Sequence, residues 1–126
     1  MKLESIYKQI DEQREALVRL LNISKKNPIP PNRLSDVCMK LSILNELLGG
    51  HIPELKAKQL EKERKVFEEV RDDGKSATEA REAARHQSSQ ERFVFEKADT
   101  KHSDLWKLIS MAQSHIRAEG QEQKGL

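Results

Sequence analysis

Aromatic side chains are scarce in this sequence, and their scarcity restricts the possible folds. Phe, Trp and Tyr together account for 4% of the 126 residues. Strands favour aromatic and β-branched residues, so such a composition disfavours a β-sandwich or a large sheet. The four prolines and five glycines are clustered, which leaves long segments without helix-breaking residues. The composition therefore predicts an all-α fold.

Cysteine and long apolar runs are also lacking. Cys38 is the one cysteine, so an internal disulfide is excluded. No N-terminal apolar segment resembles a signal peptide, and no apolar run approaches the roughly 20 residues of a transmembrane helix. We therefore expect a soluble, cytoplasmic protein that does not associate with a membrane.

Neither sign of charge dominates the chain. Charged residues make up 35% of the sequence, yet the formal net charge is only +2 because acidic and basic residues are closely interleaved. This balance disfavours both a uniformly cationic nucleic-acid coat and an acidic mimic of DNA. A local basic stripe remains compatible with it.

Apolar periodicity predicts helices in the first half of the chain. A heptad-like apolar stripe predicts an N-terminal helix over residues 3–23. Residues 24–33 contain three prolines within four positions and are expected to form a stiff connector. Residues 34–48 are the most apolar segment, in which Ile43 and Leu47 widen the face expected at the centre of the core.

Two glycines and a proline leave two interpretations of the next segment open. Gly49 and Gly50 are typical of a helix C-terminus, and Pro53 suits the first turn of a new helix. The alternative is one helix that continues with a kink. Residues 53–72 are helical in either case, with a thin apolar stripe expected to be covered. This stripe consists of Leu60, Phe67 and Val70.

The stretch RDDGKSATEA, residues 71 to 80, contains the Gly-Lys-Ser that ends a phosphate-binding P-loop. A P-loop needs another glycine five residues before Gly74, where Glu69 stands, and it follows a buried strand. A turn explains the stretch better, because Gly74 suits a left-handed helix cap and Ser76 with Glu79 matches a capping box. The stretch therefore predicts an antiparallel helical hairpin with its turn at residues 72–75.

The rest of the chain has no proline and is predicted to be helical from residue 76 onward. The polar segment HQSSQER leaves open whether this part is one helix or two, while Phe93 and Trp106 are expected to pack and residues 119–126 to fray. We therefore expect a single domain of four to five helices with coiled-coil-like packing, in which residues 34–118 form the core helix and the long hairpin.

Nothing in the sequence matches a catalytic or metal-binding motif. The histidines lack the i, i+4 pairing of a helical zinc site, and the serines lack a hydrolase motif. Cys38 lies within an apolar helix face, where a buried and inert thiol is expected. We therefore predict no enzymatic activity, no catalytic residue, no metal and no cofactor.

Basic residues along both arms and the tip of the hairpin are the main candidate site. They could follow the phosphate backbone of a nucleic acid. The alternative is a solvated hairpin surface in which neighbouring glutamates balance them. Arg92 flanks the same arms. The candidate nucleic-acid-binding residues are Lys56, Lys58, Lys62, Arg64, Lys65, Lys75, Arg81 and Arg85.

A second set of residues is a candidate partner interface. A hairpin longer than the core that it covers leaves apolar side chains without an intramolecular partner, which predicts a homo-oligomer or a protein partner. The apolar stripe of the first helix could likewise belong to a subunit interface. The candidate interface residues are Leu3, Ile10, Leu17, Phe95 and Trp106.

Between Leu44 and Arg117 the chain contains the charged helix LKAKQLEKERKVFEEV, the turn GKSATEAREAAR and the Trp-containing FEKADTKHSDLWKLISMAQSHI, in that order. This order of segments resembles small helical proteins of bacteriophages, and most of all the UvsY-type recombination mediators. The resemblance implies an oligomeric, non-enzymatic protein that binds single-stranded DNA, contacts a recombinase and acts in a bacterial host cell. The residues nearest the basic stretch of that family are Lys58, Lys62, Arg64 and Lys65.

Two classes of function remain open, and a purely structural oligomer is a third possibility. The first is an accessory protein of DNA recombination or replication that binds single-stranded DNA and a recombinase or helicase. The second is a helical inhibitor or adaptor that acts only through protein contacts, for example against a bacterial nuclease. Salt-sensitive binding of single strands is required by the first class alone.

Overall fold

The computed structural model describes residues 1–23 and 31–124, with the side chains of residues 1–22 and 33–118. This part of the chain contains no strand, which confirms the predicted all-α fold. Four helices follow one another: α1 is Leu3–Ile23, α2 is Pro31–Asp72, α3 is Ala77–Gln87 and α4 is Ser89–Lys124.

The helices form two compact units, where the sequence predicts one domain. The terminal unit comprises Met1–Leu48 and His102–Leu126, and the hairpin unit comprises Gly49–Lys101. Both α2 and α4 contribute residues to each unit.

The core of the terminal unit consists of aliphatic side chains at helical spacing, each of which stabilises the fold by about 1.5–3 kcal/mol through burial. One polar side chain lies among them: Asn45 is 2% exposed, and its Nδ2 donates to the backbone carbonyl of His102 at 3.3 Å. A buried amide bonded at one position of the opposite helix fixes the register of α2 against α4. The buried aliphatic residues include Ile6, Ile10, Leu17, Leu34, Leu41, Leu48, Leu105 and Ile109.

In the hairpin unit, the second part of α2 packs against α3 and the first part of α4. Cross-helix contacts join Glu63 to Arg92 and Lys56 to Phe95, so earlier residues of α2 contact later residues of α4. This is the antiparallel arrangement that the sequence predicts. Small side chains allow the helices to approach closely. The buried residues are Gln59, Val66, Ala80, Ala84, Ser88 and Ala98.

The predicted turn lies between α2 and α3. Gly74 has φ +84°, its N–H donates to the carbonyl of Arg71 at 3.0 Å, and the N–H of Lys75 donates to the carbonyl of Val70 at 3.3 Å. These two bonds define a Schellman motif, which satisfies carbonyl groups at the end of α2. The Ser76 hydroxyl accepts from the backbone N–H of Glu79 at 3.2 Å and caps α3. The structure thus confirms the turn, the left-handed cap at Gly74 and the bond from the Glu79 N–H to the Ser76 hydroxyl in the predicted capping box.

Helix α2 is continuous through both glycines, so the single-helix interpretation holds. Pro53 lies inside α2 and has no N–H to donate to the carbonyl of Gly49. The helix begins at Pro31, earlier than predicted, because proline fits the first turn of a helix. Residues 24–30 of the predicted connector lie outside the described residues.

The polar segment HQSSQER contains a minimal break between α3 and α4. Ser88 is the one residue between them, and it keeps φ −95° and ψ 9° while its N–H donates to the carbonyl of Ala84. Residues 77–124 are therefore two helices in close succession. Helix α4 extends to Lys124 and therefore includes residues 119–124 of the tail that is predicted to fray.

Several apolar side chains that were expected to pack are instead exposed. Trp106 is 60% exposed and Phe93 is 61% exposed, and Ile43, Leu47 and Leu60 are also accessible. Successive helical residues are rotated by about 100°, so Trp106 turns away from the core side that its buried neighbour Leu105 faces. In the same way, Ile43 lies about 200° from the buried Leu41.

Substitutions at two glycines test the backbone conformation of the helix and of the turn. A Cβ at Gly50 or at Gly74 would meet no atom within 4 Å, but only Gly74 has positive φ. We expect Gly50→Ala to stabilise the protein by about 0.5–1 kcal/mol because alanine favours the helix. We expect Gly74→Ala to destabilise it by about 1 kcal/mol or more. Thermal unfolding followed by circular dichroism measures both, and equal effects would contradict this description of the turn.

Candidate anion-binding groove

An open groove with a cavity volume of about 470 Å³ lies along one side of the hairpin unit. Four of its lining residues are arginines, one is an acid and the others are apolar. We call it the arginine groove. Its lining residues are Leu60, Glu63, Arg64, Phe67, Arg81, Ala84, Arg85 and Arg92.

Helical spacing explains why these residues meet. Leu60, Arg64 and Phe67 are separated by four and three positions, so they lie along one side of α2. Arg81 and Arg85 are one turn apart on α3, with the small Ala84 beside them. The chain reverses at Gly74, so α2 and α3 lie side by side. The arginines of both helices therefore line the arginine groove.

Glu63, the acidic residue of this groove, accepts hydrogen bonds from three neighbouring side chains. Its Oε1 accepts hydrogen bonds from Gln59 Nε2 at 3.1 Å and from Ser88 Oγ at 3.4 Å. It also accepts from Arg92 Nη2 at 3.1 Å. The same Nη2 donates to the backbone carbonyl of Arg85 at 3.3 Å. One carboxylate oxygen thus links α2 to the α3–α4 junction.

These hydrogen bonds lower the pKa of Glu63. The largest contribution comes from the bond donated by Gln59, followed among the lowering causes by the hydrogen bond and charge of Arg92 and the Ser88 hydroxyl. Burial opposes the shift by raising the pKa, but the net direction is downward. Glu63 therefore remains a carboxylate at neutral pH.

The four guanidinium groups of the groove differ in their intramolecular partners. Arg92 is held by Glu63 in a pair whose side chains are 24% and 29% exposed. Arg64 pairs with Glu68 at 3.0 Å, but both side chains are mostly exposed, and such pairs contribute little. Arg81 and Arg85 form no ion pair with any residue in the described ranges. Their charges can bind an external anion.

The structure separates the sequence-predicted basic residues into different surfaces. Arg64, Arg81 and Arg85 line the groove together with Arg92, whereas Lys58, Lys62 and Lys65 do not. Lys62 is two residues from Leu60 and so lies about 200° around α2 from the groove side. Glutamates are interleaved with these three lysines along their side of the helix. They are Glu54, Glu61 and Glu69.

The two remaining candidates lie elsewhere in the hairpin unit. The ammonium of Lys56 is 4.7 Å from the centroid of the Phe95 ring, a cation–π contact. Lys75 is exposed at the turn, where its carbonyl accepts from Arg71 Nη1 at 3.0 Å. Neither lysine lines the groove.

Leu60, Glu63 and Phe67 are functional candidates that sequence reasoning missed. Leu60 and Phe67 were expected to be covered, but α2 buries Val66 instead, which leaves Leu60 exposed and Phe67 half-buried. Glu63 is one of many surface acids in the sequence. The spacing of Leu60, Glu63 and Phe67 at three and four residues was the available signal.

The candidate interface residues also differ in accessibility. Ile10 and Leu17 are buried in the core of the terminal unit. Leu3 is half-buried, Phe95 is half-buried beneath Lys56, and Trp106 is exposed.

The structure reveals another accessible apolar surface on the terminal unit. Met39, Ile43 and Leu47 are exposed at successive i+4 positions of α2. We call these three residues the α2 stripe. They lie on the side of α2 opposite the buried Leu41 and Leu48, as helical geometry requires.

Three further features of the described residues concern the cysteine thiol, metal ligands and membrane spans. Cys38 is buried, and burial raises the pKa of its thiol, as expected for an inert cysteine. Among the described residues, no group of three His, Cys, Asp or Glu side chains could hold a metal ion. None of the helices in this part of the chain combines the length and apolar content needed to cross a bilayer.

Comparison of the chain with protein-family models, with curated proteins and with solved structures found no match.

The role of Glu63 in the hairpin unit predicts a pH-dependent stability difference. Its lowered pKa means that the carboxylate stabilises the fold above the ordinary value of 4.5, and that this contribution is lost as the pH falls through the lowered value. We expect Glu63→Gln to lower stability at neutral pH by about 1–2 kcal/mol. Melting temperatures of both proteins should therefore converge in acid.

Glu68→Gln is the matched control for this experiment. Its pair with Arg64 is exposed, so we expect little change in melting temperature at any pH. A constant difference between wild type and Glu63→Gln from neutral to acidic pH would contradict the proposed contribution of the carboxylate.

Proposed function

We propose that this protein is a non-enzymatic accessory protein of phage-type DNA recombination or replication that binds single-stranded DNA in the arginine groove. The observation that carries the proposal is the convergence of Arg64, Arg81, Arg85 and Arg92 on one groove. A recombinase or helicase would be its protein partner.

The chemistry of the lining supports a single strand as the ligand. Guanidinium groups match the geometry of phosphate oxygens and can bind them through two hydrogen bonds. Leu60 and Phe67 provide an apolar surface between the arginines, and unpaired bases pack against such surfaces. The bases of a duplex are stacked inside the helix and could not reach these side chains.

The charge distribution of the hairpin unit implies that binding of an anionic strand depends on the local arrangement of the basic residues. Gly49–Lys101 contains twelve Lys and Arg and twelve Asp and Glu residues, so the unit has no net charge. Attraction then comes from the groove, where four arginines face one glutamate. If each arginine contacts one phosphate, the logarithm of affinity should fall with the logarithm of salt concentration with a slope of about −3.

Substitutions inside and outside the groove test the proposal. We expect the Arg81→Glu/Arg85→Glu protein to lose at least tenfold in affinity for a fluorescent oligo-dT strand, because both unpaired arginines are reversed in charge. The matched control, Lys58→Glu/Lys62→Glu, introduces the same charge change outside the groove and should retain most of the binding. Fluorescence anisotropy at several salt concentrations measures both.

Two results would contradict the proposal. One is the absence of salt-dependent binding by the wild type even at low salt. The other is equal loss in the two double variants, which would indicate attraction by overall charge with no particular role for the groove. Circular dichroism of each variant establishes that the helices are retained.

A second candidate function is an adaptor or inhibitor that acts through protein contacts, such as a phage protein that blocks a bacterial nuclease. The exposed α2 stripe favours it, because apolar side chains at i+4 spacing are the usual contacts of a helix with another protein. The same surface is available for the homo-oligomer that the sequence predicts.

The oligomer can be tested by analytical ultracentrifugation. We expect the wild type to sediment as an oligomer at micromolar concentration, and Ile43→Glu to shift it toward the monomer because a charge enters the apolar contact. Ser110→Glu adds the same charge at an exposed position of α4 and should leave the mass unchanged. A monomeric wild type would contradict self-association.

A further inference from the structure

Glu63 is the acidic residue among those that line the arginine groove, and two apolar groove residues lie about one helical turn from it on α2. Leu60 precedes it by three residues and Phe67 follows it by four, so all three side chains lie on the same side of the helix. Side chains at these spacings have Cβ atoms about 5–6 Å apart. A planar group that packs against Leu60 and Phe67 would therefore lie beside the carboxylate.

The carboxylate cannot move out of the groove at low cost. Its Oε1 accepts from three donors, and one of them, Gln59, is only 5% exposed. Glu68, the acid that pairs with Arg64, differs because both partners are mostly exposed and can separate in water. When a ligand enters, Glu68 can turn away, but the charge of Glu63 stays.

A fixed carboxylate selects the chemical group that lies next to it. It repels a phosphate or a carbonyl oxygen and attracts a hydrogen-bond donor. Among the pyrimidines, cytosine presents an exocyclic amino group at the position where thymine presents the O4 carbonyl. Glutamate and aspartate side chains accept hydrogen bonds from this amino group of cytosine.

We propose that Glu63 accepts a hydrogen bond from the exocyclic amino group of a base packed against Leu60 and Phe67, so that the groove prefers cytosine to thymine in a single strand. This inference rests on the proposed function. It makes Glu63 a specificity-determining residue, while Arg81 and Arg85 supply affinity for the phosphates.

The test compares oligo-dC and oligo-dT of equal length by anisotropy, in slightly alkaline buffer where cytosine is not protonated. We expect the wild type to prefer oligo-dC by about tenfold, the factor that corresponds to about 1.4 kcal/mol. In Glu63→Gln, the amide oxygen keeps the three donors and the amide NH₂ faces the base. The preference should then disappear or reverse toward thymine.

The control variant and the use of a ratio separate selectivity from folding. Glu68→Gln removes the other carboxylate that pairs with a groove arginine, and it should keep the preference for oligo-dC. Because both strands are measured on the same sample, a reduced folded fraction changes both apparent affinities and leaves their ratio unchanged.

Different results would overturn different claims. Equal wild-type affinity for the two strands would overturn the role of Glu63 but leave the proposed function intact. The same is true if Glu63→Gln retains the full preference for oligo-dC. Failure of the wild type to bind either strand would overturn the proposed function and, with it, this inference.

Discussion

The arrangement of the hairpin unit depends on the reversal of the chain at Gly74. Its positive φ and the two bonds of the Schellman motif end α2 at Asp72, and the Ser76 cap starts α3 at Ala77. The connection is only four residues long, as in an αα-hairpin of antiparallel helices. Arg81 and Arg85 thereby come to face Arg64, from which they are distant in sequence. The groove is a consequence of this turn.

The groove residues are cationic or apolar except for one carboxylate, that of Glu63. Glu63 joins α2 to the α3–α4 junction through Ser88 and Arg92, and its charge remains inside an otherwise cationic and apolar surface. Of the remaining groove arginines, Arg64 forms a solvent-exposed pair with Glu68. Arg81 and Arg85 form no ion pair with any residue in the described ranges. We propose that the same carboxylate that stabilises the unit also limits which ligand atoms can approach, so that affinity and selectivity depend on different side chains.

Local signals made the turn and helices predictable, but not the groove. Gly74 and Ser76 act through their own backbone and nearest neighbours, so their roles can be read from the sequence. The buried side of α2 cannot, because a stripe through Leu60 and Phe67 and one through Val66 have the same periodicity. Packing selects Val66, and this choice turns Leu60 and Phe67 toward the arginines. It also turns Lys58, Lys62 and Lys65 away from them.

The central claim is that a single strand binds on the groove side of the hairpin unit. A nuclear magnetic resonance titration of ¹⁵N-labelled protein with a short oligonucleotide tests it most directly, since it reports the location of binding. The account predicts that the largest shifts occur at Phe67, Arg81, Arg85 and Arg92. Largest shifts at Lys58, Lys62 and Lys65, or no shifts at all, would contradict it.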